Sequence, residues 1–484
     1  VSRPCELGAI EARNLIAAKA LSPVELVDDC IARIEAVNSA VNAVVADCFD
    51  RAREESRAAE AAAVRGKDLG ALHGLPLGIK DLNVSEGIRT TFGSLVYKDH
   101  VPEKDERIIA SLRRAGAIAL CKTNTPEFGA GANTVNKVYG STRNPFDTSR
   151  TCGGSSGGSA VALACDMVPI CTGSDTGGSL RIPAAYCGVV AIRGTPGLVP
   201  SDRRVIGLTT FNVQGPMART VADAALMLSA MAGSDACDPL ARPLVSSSYG
   251  EIEAVDLLQL RAAFSEDLGF ARVDYGVRRT FQKCMDRVAP LFGLCEPRDP
   301  EMQEASRVFW LIRGLHYLAA QLENYRLHRD LLGPNVVSNV EAGLAMKPED
   351  IAWAHAECTR IYRRLQKFFE DYDLLICPTV AVPPFPVEQL FCTHINGVEL
   401  ENYIQWADLT AGLTLTGHPI VSIPCGYDPT GAPFGIQLVG PRWHSDRFIT
   451  GVAAALEEAL AGDPSWARPT PDIEALSRAP SGER

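Results

Sequence analysis

The chain has 484 residues, 46% of them hydrophobic and 22% charged, with a formal net charge of −11. That balance excludes a disordered chain, and the acidic excess without any basic run excludes a nucleic-acid surface. No stretch of 18 uncharged apolar residues is present, so no membrane span is expected.

The N-terminal part, residues 1–66, reads as helical. Ser22-Pro23-Val24-Glu25 combines an N-cap serine, proline at the first helical position and a glutamate that closes a capping box. Apolar residues then recur at Leu26, Cys30, Ile31, Ile34 and Val37, which is the stripe of a buried helix face. A charged helix is predicted over 51–65, a short strand over 75–81, a helix over 105–115 and a strand over 118–121. Further on, 160–165 reads as helix, 168–171 as a buried strand, 183–187 as a helical turn and 189–192 as a strand. Thr220 caps a helix to about Met231. Strand signals return at 260–264, 374–377, 420–423 and 435–439, and the last helix is expected over 445–460. Strands alternating with helices throughout predict an α/β fold, a sheet covered by helices on both faces. Segments 247–256 and 378–386 are the candidate subdomain edges within one domain spanning 1–484.

Fifteen cysteines are scattered without a C-x-x-C pair, and the eight histidines form no H-E-x-x-H or H-x-H. A reducing compartment, the cytoplasm, and no structural metal or cofactor are the expectations. The first residues lack the apolar core of a secretory leader. The chemistry is expected around two glycine–serine clusters, Gly153-Gly154-Ser155-Ser156-Gly157-Gly158-Ser159 and Gly173-Ser174-Asp175-Thr176-Gly177-Gly178-Ser179. A flexible linker would be flanked by polar residues, whereas these flank the apolar run 159–170. Backbone N–H groups and hydroxyls brought to one point suit a phosphate or a developing oxyanion. The phosphate-loop pattern G-x-x-x-x-G-K-[ST] and the dinucleotide pattern G-x-G-x-x-G are both absent, which leaves serine chemistry. Gly153-Gly154-Ser155-Ser156-Gly157 fits the G-x-S-x-G elbow of α/β-hydrolases, with Ser155 or Ser156 attacking and His418 or His444 as base.

Lys80 offers a second arrangement. It ends a predicted strand, with Asp81 directed to the opposite face. It is either a surface lysine at a strand end or a buried amine serving as a general base. Starting from an ordinary value near 10.4, keeping it neutral at pH 7 costs about 4.6 kcal/mol unless its site lowers the pKa by roughly three units.

Lys80 and the two clusters, in this order, closely resemble the amidase signature family. Gly74-Leu75-Pro76-Leu77-Gly78-Ile79-Lys80-Asp81, Lys122-Thr123-Asn124-Thr125-Pro126-Glu127-Phe128, Gly140-Ser141-Thr142-Arg143-Asn144-Pro145 and Arg181-Ile182-Pro183-Ala184-Ala185-Tyr186-Cys187-Gly188 continue the resemblance. It is specific over 23–233 and looser beyond. It implies a large mixed, twisted sheet between layers of helices, with a catalytic segment over 74–200. It further implies Ser179 as nucleophile, Ser155 in a cis peptide as bridging serine, and Lys80 as terminal base. The N–H groups of Thr176, Gly177, Gly178 and Ser179 would form the oxyanion hole. Asp175 and Arg181 are either a catalytic acid with its partner or an ion pair bracing the loop, and the resemblance favours the pair. Ser156 would support the loop, and Ser159 would cap or pack the helix that follows.

The family holds free-standing amidases and the amidase subunit of a tRNA-dependent amidotransferase. No R-I-M-L-G-T segment is present, and Phe309-Trp310-Leu311-Ile312-Arg313-Gly314-Leu315-His316-Tyr317 is largely apolar and aromatic. This favours hydrolysis of a neutral anilide, aryl amide or carbamate, a small-molecule substrate, over glutamine. The alternatives are the glutamine-hydrolysing subunit, the elbow-type esterase, and a fold kept for binding alone. Pairing of two copies through the N-terminal helices is a further expectation from the resemblance.

Overall fold

Ser22 accepts a hydrogen bond from Val24 N at 3.0 Å while Glu25 accepts one from Ser22 N at 3.0 Å, so the expected capping box starts the helix Pro23–Val41. Its stripe of Leu26, Cys30, Ile31, Ile34 and Val37 is buried. In the computed structural model, which describes residues 3–66, 69–442 and 445–479, this helix packs against the helix Phe49–Val64.

In chain order the strands are β1 (Val44–Asp47), β2 (Pro76–Lys80), β3 (Ile118–Thr123), β4 (Val135–Asn136), β5 (Gly140–Ser141), β6 (Ile170–Asp175), β7 (Val190–Arg193) and β8 (Val213–Ala218). They continue as β9 (Arg261–Phe264), β10 (Leu294–Pro297), β11 (Leu374–Pro378), β12 (His394–Ile395), β13 (Val398–Glu399), β14 (Ile420–Tyr427) and β15 (Pro433–Val439). Eleven of them form one sheet in the order β1-β3-β2-β6-β8-β7-β14-β15-β11-β9-β10, and the other four make two short hairpins. The sheet is mixed: β2 runs parallel to β3 and β6, whereas β6–β8, β7–β14 and β14–β15 are antiparallel. Every residue of β2, β3, β7, β11 and β15 is buried, as expected of strands covered by helices on both faces. Segment 247–256 falls between β8 and β9, and 378–386 begins at the last residue of β11, all of them strands of this same sheet.

The structure departs from the sequence expectations at several places. The strand expected over 168–171 runs on to Asp175, because β8 pairs with it from Ile170↔Ala218 to Asp175↔Val213. The second cluster therefore begins as sheet. The first cluster supplies the N-terminus of a helix, Gly157–Ala164, whose eight residues are all buried. A Cβ on Gly158 would lie 2.2 Å from Asn124 N, so only glycine lets this helix approach the end of β3. Three strands of the large sheet were not expected: β1, β8 and β10. Finally, Ile473–Arg478 follows Asp446–Ala461 as the last helix.

Candidate active site

Lys80 is the last residue of β2 and is 0% exposed. The surface alternative is thereby removed. Strand period places Thr172 and Ser174 of β6 on one face and Asp175 on the other. Thr172 Oγ1 accepts from Lys80 N at 2.9 Å, which fixes the lysine backbone beside that face. The Lys80 Nζ then donates to Ser155 Oγ at 2.7 Å, Ser156 Oγ at 2.8 Å and Ser174 Oγ at 2.9 Å. Burial pushes its pKa down to about 7, while the nearby negative charge of Asp175 works in the opposite direction. Asp81 points elsewhere, accepting from Thr91 N and Thr91 Oγ1 and lying 4.0 Å from Lys122 Nζ.

The Gly154–Ser155 peptide is cis. Ser156 N donates to the Ser179 carbonyl at 3.1 Å, which ties the first cluster to the second. Ser155 is 2% exposed, whereas Ser179 is partly open. The turn at Phe128 and Gly129, both with positive φ, lies over this point: a Cβ on Gly129 would meet Ser155 Oγ at 3.3 Å. Ser156 carries the supporting contacts expected of it, with Lys80 and with Ser174 N. Ser159 packs rather than caps, since its hydroxyl donates to Thr172 O at 2.9 Å from inside the helix.

Asp175 organises the second loop. Arg181 Nε reaches its Oδ2 at 2.9 Å and Arg193 Nη1 reaches its Oδ1 at 3.3 Å, all three side chains being fully buried. Burial alone would raise the Asp175 pKa, but the two guanidinium charges and their hydrogen bonds hold it well below the ordinary carboxylate range. Arg181 is itself held by Gln437 Oε1, Thr410 O and Thr414 Oγ1. The Gly178 N–H, grouped with the oxyanion donors on sequence, donates to Asp175 Oδ1 at 2.8 Å. It acts here as a tether. Gly178 has φ +118°, and a Cβ there would lie 2.2 Å from Thr410 Oγ1. Thr410 Oγ1 in turn donates to Gly177 O at 2.8 Å, so the loop is clamped from two sides.

His418, a base candidate of the elbow reading, is buried against Phe369 and Tyr362 with Gln366 as its hydrogen-bonding neighbour. Burial lowers its pKa to about 3, and neither serine cluster is among its partners. His444, the other candidate, lies outside the described residues.

The family model "Amidase" matches residues 25–448. The chain belongs to the amidase signature family. Among its relatives, an acylamidase of Rhodococcus erythropolis is 34% identical over 459 residues, covering 93% of this chain and 95% of that one. A glutamyl-tRNA(Gln) amidotransferase subunit from Anaeromyxobacter dehalogenans is 34% identical over 489 residues, covering 96% and 98%. Among solved structures, a bacterial aryl acylamidase superposes with TM-score 0.87 at 27% identity, covering 99% of each chain. A 6-aminohexanoate cyclic dimer hydrolase in complex with its substrate gives TM-score 0.84 at 27% identity, covering 97% and 99%.

This amidase is therefore an amide hydrolase acting on non-peptide C–N bonds, and its eleven-stranded mixed sheet is the amidase signature fold. The elbow alternative, which needs the α/β-hydrolase fold, falls with that finding. Sequence reasoning missed Ser174 and Arg193. The first was signalled by its two-residue spacing from Thr172 in a strand that had been cut short. The second stands in a buried run, Val190–Arg193, where a charge needs a partner.

Proposed function

We propose that this amidase cleaves a carboxamide through an acyl-enzyme on Ser179, with Ser155 and Lys80 as the proton relay. The observation that carries the reading is a fully buried Lys80 amine hydrogen-bonded to Ser155 Oγ at 2.7 Å, where burial favours the neutral form. As Ser179 Oγ forms a bond to the substrate carbonyl carbon, its proton passes to Ser155 Oγ while the Ser155 proton passes to neutral Lys80. The carbonyl oxygen becomes an oxyanion facing the N–H groups of Thr176, Gly177 and Ser179, with Gly178 holding the loop through Asp175. When the C–N bond breaks, the proton returns through Ser155 to the leaving amine. Water then takes the place of the amine and releases the acid by the same relay.

The acyl or aryl part of the substrate is proposed to lie along the helix Ala305–His328. Phe309 from this helix reaches the loop itself, since a Cβ on Gly177 would lie 2.6 Å from Phe309 Cζ. Phe211 stacks on Phe309 at 5.8 Å and on His316 at 5.2 Å. An aromatic wall here supports an anilide, aryl amide or carbamate substrate, in keeping with the relatives named acylamidase and aryl acylamidase. The test is turnover of 4-nitroacetanilide against glutamine. Release of nitroaniline well above glutamine hydrolysis is expected.

The second reading, a component of a tRNA-dependent amidotransferase, rests on the equal identity to the glutamyl-tRNA(Gln) amidotransferase relative. ATP-dependent transamidation with added partner proteins, together with comparable glutamine turnover, would establish it instead. No helix among the described residues is long and apolar enough to cross a membrane. We place the enzyme in the cytoplasm on its many unpaired thiols, and pairing of two copies is decided by light scattering.

A further inference from the structure

Among the described residues five arginines are buried: Arg33, Arg181, Arg193, Arg219 and Arg313. Four of them lie within ion-pair distance of a carboxylate, Arg33 with Glu6, Arg181 and Arg193 with Asp175, and Arg219 with Asp166. Arg313 is 3% exposed and, among the described residues, has no carboxylate within that distance. Its Nε and Nη2 both donate to the Tyr403 hydroxyl, at 3.1 and 2.8 Å. Aromatic faces supply the rest of its surroundings, with its guanidinium carbon 4.9 Å from the Tyr317 ring centre, 5.7 Å from that of Tyr403 and 5.9 Å from that of Phe309.

A buried cation without a counter-charge is costly, and arginine does not escape the cost by losing its proton. Phenol oxygens and ring faces offset part of it. The Tyr403 hydroxyl takes the Nε–Nη2 edge of the guanidinium, and the Nη1–Nη2 end of the fork is the part left to meet a carboxylate. The placement of that fork matters. Phe309, Arg313 and Tyr317 follow at four-residue spacing on one helix face. Phe309 presses on Gly177 of the nucleophile loop, and Tyr317 donates to Phe128 O at 3.2 Å, next to the Gly129 that overlies Ser155. The unpaired charge thus stands between the two side chains that touch the two halves of the reacting site.

We propose that Arg313, held in orientation by Tyr403, receives a carboxylate carried by the substrate, so that the preferred amides are anionic. The inference rests on the reading of Ser179 as the acylated residue. It replaces the expectation of a neutral substrate, which followed from the apolar character of residues 309–317. Arg313 is a specificity-determining residue here and takes no part in proton transfer.

Two isosteric pairs of substrates test it. One is the mono-4-nitroanilide of glutaric acid against the 4-nitroanilide of hexanoic acid, with the charge on the acyl side. The other is 4-acetamidobenzoate against 4-nitroacetanilide, with the charge on the amine side. At least one pair should favour the carboxylate tenfold or more, mainly through KM. Arg313→Met should erase that ratio, and Arg313→Lys should retain part of it, because charge remains while the fork is lost. No preference in either pair, or an equal loss on both members of a pair in Arg313→Met, overturns the proposal in favour of a structural pin for Tyr403. Should Arg313→Met fail to fold, calorimetric titration of full-length Ser179→Ala with glutarate and with benzoate decides the matter, absence of binding by both counting against it. Binding of either anion by a protein whose wild type hydrolyses no amide would instead contradict the acyl-enzyme reading and leave the anion site standing.

Discussion

Lys80 and Ser155, 75 residues apart in the chain, meet at 2.7 Å in a site where the lysine is completely enclosed. Three hydroxyls surround the amine, from Ser155, Ser156 and Ser174, and none of them carries a charge. Hydroxyls serve an ammonium as acceptors and a neutral amine as donors, so this cage accommodates both forms of Lys80. A relay needs that tolerance.

The first consequence concerns pH. Lys80 has an ordinary value of 10.5 and a folded value of about 7. The proposed relay needs the neutral amine, so kcat/KM should rise with pH along a limb whose apparent pKa is near 7. The sign for stability follows from the same shift. Between the two values the unfolded chain binds the proton and the folded one does not, so Lys80 makes stability increase with pH over this window. Below the folded value its full destabilising contribution is present. A pH–rate profile from pH 5 to 10, read beside urea midpoints, checks both statements. A flat acid limb contradicts them.

The serines should separate by role. Ser155→Ala removes the proposed bridge, and a loss of roughly 10²–10⁴-fold in kcat is expected for a missing proton-transfer group. Ser156→Ala removes one hydrogen bond to Lys80, and a loss of about tenfold or less is expected from its net worth. Steady-state kinetics on one anilide compares them directly.

Asp175→Asn should weaken the protein and the reaction together. It leaves Arg181 and Arg193 buried without a counter-charge, a change that typically costs about 3–5 kcal/mol. It also loosens the Gly178 tether, so kcat should fall among the molecules that remain folded. Denaturant unfolding and active-site titration separate the two effects. A variant of unchanged stability would show that the pair does not brace the loop.

Gly178→Ala tests the clamp without altering charge. The backbone at φ +118° disfavours an L side chain, and the added methyl would overlap Thr410 Oγ1. The loop must shift, and a large drop in kcat is expected. Combining it with Thr410→Ser, which keeps the hydroxyl, should restore little. Unimpaired turnover by Gly178→Ala would mean that the loop geometry is not critical.

Much of this was legible in the chain. The capping box at Ser22 and the stripe behind it gave a helix with the expected start, because both signals are local. The two clusters and Lys80 pointed to serine chemistry and, through the family resemblance, to roles for Lys80, Ser155 and Ser179. What escaped was non-local. β8 contains Gly215-Pro216, which reads as a break, yet Pro216 pairs with Thr172 inside the sheet. Without β8 there was no reason to extend β6, and so Ser174 stayed hidden in what looked like a loop. Arg193 was missed because its partner, Asp175, lies on another strand and had already been matched with Arg181. The Gly178 tether likewise depends on how the loop folds back on Asp175, which composition does not encode.

The most direct test of the account is fluorophosphonate labelling of the full-length enzyme, with the modified serine mapped by mass spectrometry. The account predicts a single adduct on Ser179, formed far more slowly in Lys80→Ala. An adduct on Ser155 or Ser156 in the wild type, or labelling of Ser179 at an unchanged rate without Lys80, would contradict it.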